Sequence, residues 1–407
     1  MVDALFDHFP ARHDRIATCC SPARKNSPQS VEKSRAMMLW LAALVLTFVH
    51  ITVPLGYYGF LRIVRGIPIT KNQTYTPYVT VVIPTYNEGR LISDKLANLA
   101  QQEYPLDKVD VLVVDSGSTD GTVDVATKWK ETDTCLRLHI IQEPQRKGKA
   151  EALNTALQHA PHDMMVISDA DSLWAADALR KALAYFSDAR VGALTGTKEP
   201  IRRRGVDLEI EYRNFYNRVR ILESKIYSTP IFNGELAAFR KHLLESLGGF
   251  PVSIGADDSH MATTIALEGH RAVAVGDVKV YERIPQSLGA FGAWRVRRAK
   301  HLVQHFSTSI TKITKAPSQF RIVLATEAFL HLVNPWLLIL ALPLVLTAIA
   351  LGELPLWAWV ALALLGVSLV FRRVRQPSLV WVANQLILCY AALSGIRSRE
   401  LVWKKIS

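Results

Sequence analysis

The stretch VDVLVVDSGSTDGT, residues 109–122, runs from an apolar segment into a turn of small and acidic residues. Its first half, 109–115, is short and valine-rich, and reads as a strand covered on both faces, as in a parallel sheet. Asp115 closes the strand, where a carboxylate can accept hydrogen bonds from a ribose or a base N–H. Ser116, Gly117 and Ser118 beyond it permit close backbone approach. The alternative is a glycine-rich turn with Asp120 capping the helix that follows. The pattern is not G-x-G-x-x-G, which counts against a dinucleotide fold.

Working outward, VTVVIP (79–84), LRLHII (136–141) and MMVISD (164–169) read as further strands. The runs 90–102, 122–132, 149–160 and 175–187 read as helices. This alternation predicts an α/β domain over residues 78–285 with a parallel sheet covered on both faces. Ligands in such sheets sit at the carboxyl ends of strands, in the loops after residues 83, 115 and 168.

Those loops carry the chemistry. The first holds Pro84, Tyr86, Asn87 and Glu88, a polar strand end or a plain helix N-cap. Lys147 and Lys149 flank Gly148 where a helix opens, which suits an anion as well as a solvated charge run. Asp169 and Asp171 lie two apart on extended backbone, so their carboxylates share a face. Like charges that close call for a cation, and oxygen ligands suit Mg²⁺ or Mn²⁺ bridging to substrate phosphates; the alternative is an N-cap pair. Asp257 and Asp258 precede a helix; either they favour its dipole, or Asp257 raises the proton affinity of Asp258 and makes it a general base. Further on, the cluster Trp294, Arg295, Arg297, Arg298 suits a membrane-surface helix or a bidentate diphosphate clamp. His301 and His305 lack the glutamate of a zinc-protease helix.

The ends of the chain are of another kind. Hydrophobic residues make up 49 % of the 407, and they concentrate in one early block and in the last fifth. That excludes an ordinary soluble enzyme and a disordered chain. Residues 1–36 are polar and predict a flexible tail. Residues 37–61 lack Asp, Glu, Lys and Arg and, at about 1.5 Å per residue, predict an uncleaved transmembrane helix, with Tyr57, Tyr58, Arg62 and Arg65 at the interface. Residues 286–322 read as amphipathic interface helices with Phe291, Leu302 and Phe306 toward lipid. The C-terminal transmembrane region, 325–396, holds apolar blocks at 325–351, 356–371 and 379–394; the first spans, and each of the others spans or lies in the interface, giving two or three helices. Linker 352–355 has no basic residue and 372–375 has three arginines, which places the first outside and the second inside. Arg397, Arg399, Lys404 and Lys405 would lie outside if the last block spanned, which favours a re-entrant or interfacial placement for it.

The formal charge is +12. Because the basic residues flank apolar segments, they point to lipid and not to nucleic acid. The four cysteines, Cys19, Cys20, Cys135 and Cys389, form no C-x-x-C pair and suggest a reducing compartment.

Taken in order, IPTYNE, VVDSGSTDGT, KGKAEALN, SDADS and GADDS resemble the motifs of the membrane-embedded family 2 glycosyltransferases, relatives of the cellulose, chitin and hyaluronan synthases. The resemblance covers about residues 78–310. It implies a GT-A nucleotide-sugar fold with flanking transmembrane helices, a divalent metal and inversion at the anomeric carbon. It further implies that Asp115 contacts the nucleoside, that Asp169 and Asp171 form the D-x-D with Asp171 on the metal, and that Asp258 is the base. Asp257 then stands where the family has Glu, and residues 232–235, with Asn233 and Gly234, form the acceptor-side turn. The family's Q-x-x-R-W reads here as Trp294-x-x-Arg297-Arg298 or Arg295-x-x-Arg298, a departure that bears on processive synthesis more than on sugar transfer.

The expectation is therefore a membrane enzyme with a cytosolic catalytic domain. It would move a sugar from a nucleotide donor, UDP-linked, to a glycan or lipid-linked acceptor. The alternatives are a single transfer to a polyprenyl phosphate and a non-catalytic partner subunit.

Overall fold

The computed structural model describes residues 28–132, 135–201, 207–285, 287–351 and 356–395. The elements are, in chain order, α1 (Pro28–Ile63), β1 (Val79–Thr85), α2 (Ile92–Ala100), β2 (Val109–Ser116), α3 (Thr122–Thr132), β3 (Arg137–Glu143), α4 (Lys149–His159), β4 (Met164–Ile167), β5 (Ser172–Trp174) and α5 (Ala178–Ala184). There follow β6 (Val191–Pro200), α6 (Asp207–Ile226), β7 (Ala237–Arg240), α7 (Lys241–Ser246), α8 (Asp257–Leu267), β8 (Arg271–Glu282), α9 (Leu288–Ser309), α10 (Ser318–Leu332), α11 (Asn334–Ala350), α12 (Leu356–Ser368) and α13 (Arg372–Gly395).

One eight-stranded sheet runs β3-β2-β1-β4-β7-β6-β8-β5. The pairs β1–β2, β2–β3 and β1–β4 are parallel, as the apolar runs predict. Alternation along β1 sends Val79, Val81 and Ile83 to one core, with Ile92 and Leu96 of α2, and Val82 to a second core with Leu153 of α4. Both faces are therefore covered. The chain passes from β1 to β2 and β3 on one side, then returns to β4 on the other. This reversal opens a crevice at the carboxyl ends of β1 and β4.

The other half of the sheet departs from the all-parallel expectation. β7 runs antiparallel to β4 and β6, β5 is antiparallel to β8, and only β6–β8 is parallel. β5 and β7 have three and four residues, too few to show a period of two in the sequence.

Three expectations about the helices are corrected. α1 begins at Pro28, so residues 28–36 are helical and not tail; Pro suits a first helical position, where its missing N–H costs nothing. The rest of the expected tail lies outside the described residues, as do linker 352–355 and the basic residues after 395. The block at 325–351 is not one straight span: α10 and α11 meet at a 41° bend, where Pro335 can neither donate to the preceding turn nor clear its carbonyl. α13, at 24 residues, extends the apolar block 379–394 at its start and is long and apolar enough to cross a membrane. With residues 37–63 of α1, that makes two such helices, or three if the bent pair is one span. α12 has 13 residues, roughly 20 Å of helix, which is short of a bilayer core.

α9 also departs from expectation. Phe306 is fully buried, and Leu302 packs on the second core. Its apolar stripe faces protein, because an amphipathic period does not say whether lipid or another helix covers it.

Candidate active site

A cleft of about 750 Å³ lies at the carboxyl ends of β1 and β4, closed on its far side by α9. Pro84, Tyr86, Glu88, Lys149, Asp169, Asp171, Asn233, Gly234, Asp257, Asp258, Arg297 and Arg298 all line it. Of the candidate residues named from the sequence, Asn87, Asp115, Lys147 and Arg295 are not among the lining.

Asp115 instead ties two loops together. It accepts from Thr85 Oγ1 at 3.0 Å and from the Ser118 backbone N–H at 2.9 Å. Asn87, the one non-glycine residue with positive φ among the described residues (55°), accepts from the Thr119 N–H at 2.9 Å, and its own N–H donates to Ser118 Oγ at 2.8 Å. The loops after β1 and β2 are thus one unit. Arg146 stacks over Tyr86, 3.8 Å from the ring centre, and completes that wall. Lys147 contributes its backbone N–H to Ser116 Oγ at 3.2 Å.

The opposite wall gathers charge. Lys149 Nζ donates to Asp169 Oδ1 at 2.7 Å. Burial pulls the lysine's pKa down, but Asp169, Asp257 and Asp258 outweigh it and hold the ammonium above its usual value. Asp171 opens onto the cleft. The surrounding protein, then Asp169, Glu282, Glu235 and Glu88, push its carboxyl up to about 7. Asp258 is raised to about 7 by burial and by Asp257, with Lys149 opposing. Its Oδ1 accepts from the Ser259 N–H at 2.8 Å.

Gly234 marks the meeting point. A methyl group placed on it would lie 2.7 Å from Lys149 Nζ, 3.3 Å from Asp258 Oδ2 and 3.7 Å from Asp169 Oδ2. The lysine, the base expected from the sequence and the first aspartate of D-x-D therefore face one small space. We expect Gly234→Ala to lower transfer by about a hundredfold, the order of loss that a misplacement near 1 Å brings, while leaving the melting temperature nearly unchanged. Wild-type transfer by that variant would contradict the convergence.

The three arginines of α9 have separate surroundings. Arg295 pairs with Glu209 at 3.4 Å and lies 4.5 Å over Tyr212. Arg298 pairs with Glu282 at 3.3 Å and Glu235 at 3.5 Å, and lies 4.6 Å over Trp294. Arg297 lines the cleft; burial and Arg298 lower its pKa, while Asp169 and Asp171 act to raise it. Both Arg297 and Arg298 line the cleft, so the two registers are separated by the response of each to substitution, and the Trp294-x-x-Arg297 register carries the following expectation. Arg297→Lys and Arg297→Ala should each weaken donor affinity about tenfold or more, the worth of a lost charge-assisted bond. Arg298→Lys, which can still reach Glu282, should change it less than about twofold. Titration of donor into the three variants checks this, and the reverse order would contradict it.

Beneath the cleft lies a buried ionic network that sequence reading missed. Lys198 Nζ is 2.7 Å from Glu235 and 3.4 Å from Glu282, and Arg213 is 2.6 Å from Glu282 and 2.8 Å from Glu209. Its members are scattered from 198 to 298, so no spacing announces them. Glu235 and Arg298 stood in segments the sequence had singled out, and Glu282 carried a signal as a carboxylate closing a strand.

The acidic set fits a divalent cation. Its donors are all oxygen, and Glu235 Oε2 and Asp257 Oδ2 are buried with no hydrogen-bond partner among the described residues. Among those residues no three acidic, histidine or cysteine side chains are placed to hold an ion by themselves.

Paired aspartates, a half-buried lysine and an arginine thus line one cleft at the parallel-strand switch point of an α/β fold. The sequence model described as Glycosyl transferase family 2 matches residues 80–248. A mannosyltransferase of Pyrobaculum calidifontis, solved in complex with GDP-Man and Mn²⁺, is 43 % identical with a TM-score of 0.77, over 88 % of this chain and 99 % of that one. Poly-beta-1,6-N-acetyl-D-glucosamine synthase of Staphylococcus aureus is 26 % identical over 244 residues, 58 % of each chain. The probable glycosyltransferase YdaM of Bacillus subtilis is 25 % identical over 255 residues, 60 % of each. The chain spans about 58 % of the length of the first of these curated relatives. It belongs to glycosyltransferase family 2 and has the GT-A fold.

Proposed function

We propose that the protein transfers a sugar from a nucleotide-sugar donor to a membrane-associated acceptor, with inversion at the anomeric carbon. The observation that carries this reading is the convergence of Lys149, Asp169 and Asp258 on the space beside Gly234. Asp258 accepts the proton of the acceptor hydroxyl as that oxygen forms its bond to the anomeric carbon. The bond from that carbon to the β-phosphate oxygen breaks, and its electron pair leaves with the nucleoside diphosphate. Lys149 and Arg297 hold positive charge where the leaving group gains negative charge. Asp171, with Asp169, would hold Mg²⁺ or Mn²⁺, which when bound supplies further charge neutralisation at the diphosphate. Asp115 acts at one remove, by holding the loop on which Tyr86 and Glu88 stand. Asn233, Gly234 and Asp257 form the acceptor side of the cleft.

The 43 % identity to a chain solved with GDP-Man supports a GDP-mannose donor ahead of the UDP-sugar expected from the sequence. Titrating the full chain in detergent with GDP-mannose and UDP-N-acetylglucosamine, each with Mn²⁺, tests this. GDP-mannose should bind at least tenfold tighter; no binding of either sugar nucleotide would overturn the reading.

We further propose that α1, α13 and the α10–α11 pair lie in the cell membrane with the cleft on the cytosolic side. Arg62 and Arg65, at the end of α1 that leads into the catalytic domain, support this. A single cysteine at position 120, in a chain whose own cysteines are replaced, should resist an impermeant thiol reagent in intact cells. Its labelling there would invert the topology.

A further inference from the structure

α9 grips the loop that leads to Asp258. Gln304 uses both ends of its amide on that loop: Oε1 accepts from the Gly255 N–H at 3.1 Å, and Nε2 donates to the Ser253 carbonyl at 2.8 Å. One turn earlier, His301 lies against Gly255 itself. A methyl group placed on that glycine would come within 2.4 Å of His301 Cδ2 and 2.5 Å of Nε2, so only glycine admits the ring there. From Gly255, three residues of chain, no more than about 11 Å, lead to Asp258.

His301 lines the cleft together with Gly255, Ala256, Asp257 and Asp258, and it is half-buried. Neither of its ring nitrogens has a hydrogen-bond partner among the described residues, and neither is sealed from solvent. The neighbouring histidines differ. His305 meets Thr263 at 3.4 Å and Ser309 at 3.3 Å, and His260 Nδ1 is buried without a partner and away from the cleft. Burial, then Arg297, Arg298, Lys149 and Lys300, lower the His301 pKa to about 4, so the ring is neutral near pH 7. A neutral imidazole offers one N–H donor and one acceptor nitrogen. That pair suits an uncharged hydroxyl and brings no charge to a diphosphate.

We propose that His301 is a specificity-determining residue that holds a second hydroxyl of the acceptor while Asp258 takes the proton of the first. Its place on the wall of the base, and not on the wall formed by the loops after β1 and β2, assigns it to the acceptor and not to the nucleoside. Gln304 keeps the two hydroxyl-binding groups in one unit by tying the loop to α9. The inference rests on the transferase reading and adds a contact on the acceptor.

The test uses the full chain in neutral phosphatidylcholine nanodiscs with GDP-[¹⁴C]mannose, Mn²⁺ and a membrane lipid extract as the source of acceptor. His301→Leu should raise the apparent KM for the extract about tenfold, the order of a polar group left without its bond, and keep GDP-mannose affinity within about twofold. His301→Gln, whose amide offers a donor and an acceptor, should return that KM to within about threefold of wild type. A merely structural role would lower donor affinity and melting temperature in both variants, with no rescue by Gln; that pattern would overturn the assignment. So would an unchanged KM in His301→Leu. Release of the labelled sugar by mild acid, as from a sugar phosphodiester, would show that the acceptor presents phosphate and would overturn it as well. A wild type that binds no nucleotide sugar, or binds it without transfer, speaks against the transferase reading. Wild-type transfer that both substitutions leave unaltered speaks against His301 alone.

Discussion

Asp258→Asn lowers transfer by about 10²–10⁴-fold and leaves donor affinity within about twofold, if Asp258 takes the acceptor proton. Asparagine keeps the shape and the hydrogen bond from the Ser259 N–H, and it removes the basic oxygen. The pH dependence has a definite sign. Burial and Asp257 raise the carboxyl to about 7, so at lower pH it is protonated and cannot accept. At saturating Mn²⁺ the wild-type kcat/KM should rise with pH and level off above about 7, and the residual rate of the variant should lack that limb. Linkage runs the other way for stability. The contribution from a raised carboxyl is complete below its ordinary pKa and is lost as pH rises through about 7. The ionised site is the active one and also the more costly to fold. A rate in Asp258→Asn equal to wild type would remove this residue from the chemistry.

The second large effect concerns the cation. The protein supplies a pair of aspartates and no third ligand placed to complete a site among the described residues. Mn²⁺ should therefore bind weakly to the protein alone and at least tenfold more tightly once a nucleoside diphosphate is present. The loss of free Mn²⁺ signal in electron paramagnetic resonance measures both. Asp171→Asn should abolish the nucleotide-dependent binding and cut transfer by roughly a hundredfold or more, the worth of several kcal/mol of charge stabilisation. Tight Mn²⁺ binding without nucleotide, or full transfer in EDTA, would contradict the shared-cation reading.

The half of the fold that was legible beforehand is the half whose signals are local. β1, β2 and β4 are continuous apolar runs ending in short loops, so the strands and the side of the sheet on which the loops gather could both be read. Asp169, Asp171, Asp257 and Asp258 stood out because like charges were adjacent or two apart. Other features depend on partners distant in the chain. Glu235 and Glu282 meet Lys198, Arg213 and Arg298 only after β6, β8, α6 and α9 have assembled. Asp115 closes a strand, as read, and its carboxylate also holds Thr85 and Ser118, two residues whose hydroxyls gave no warning of that structural tie. For α9, helical periodicity disclosed an apolar stripe but not its cover, which is α8, α10 and α13 in place of lipid.

The most direct measurement is transfer itself. Full-length protein in nanodiscs is incubated with GDP-[¹⁴C]mannose, Mn²⁺ and a membrane lipid extract, and label is followed into the organic-soluble and glycan fractions. The account predicts Mn²⁺-dependent incorporation, matched mole for mole by released GDP, with incorporation lost in Asp258→Asn. GDP release without incorporation in any fraction, or incorporation unchanged in Asp258→Asn, would contradict it.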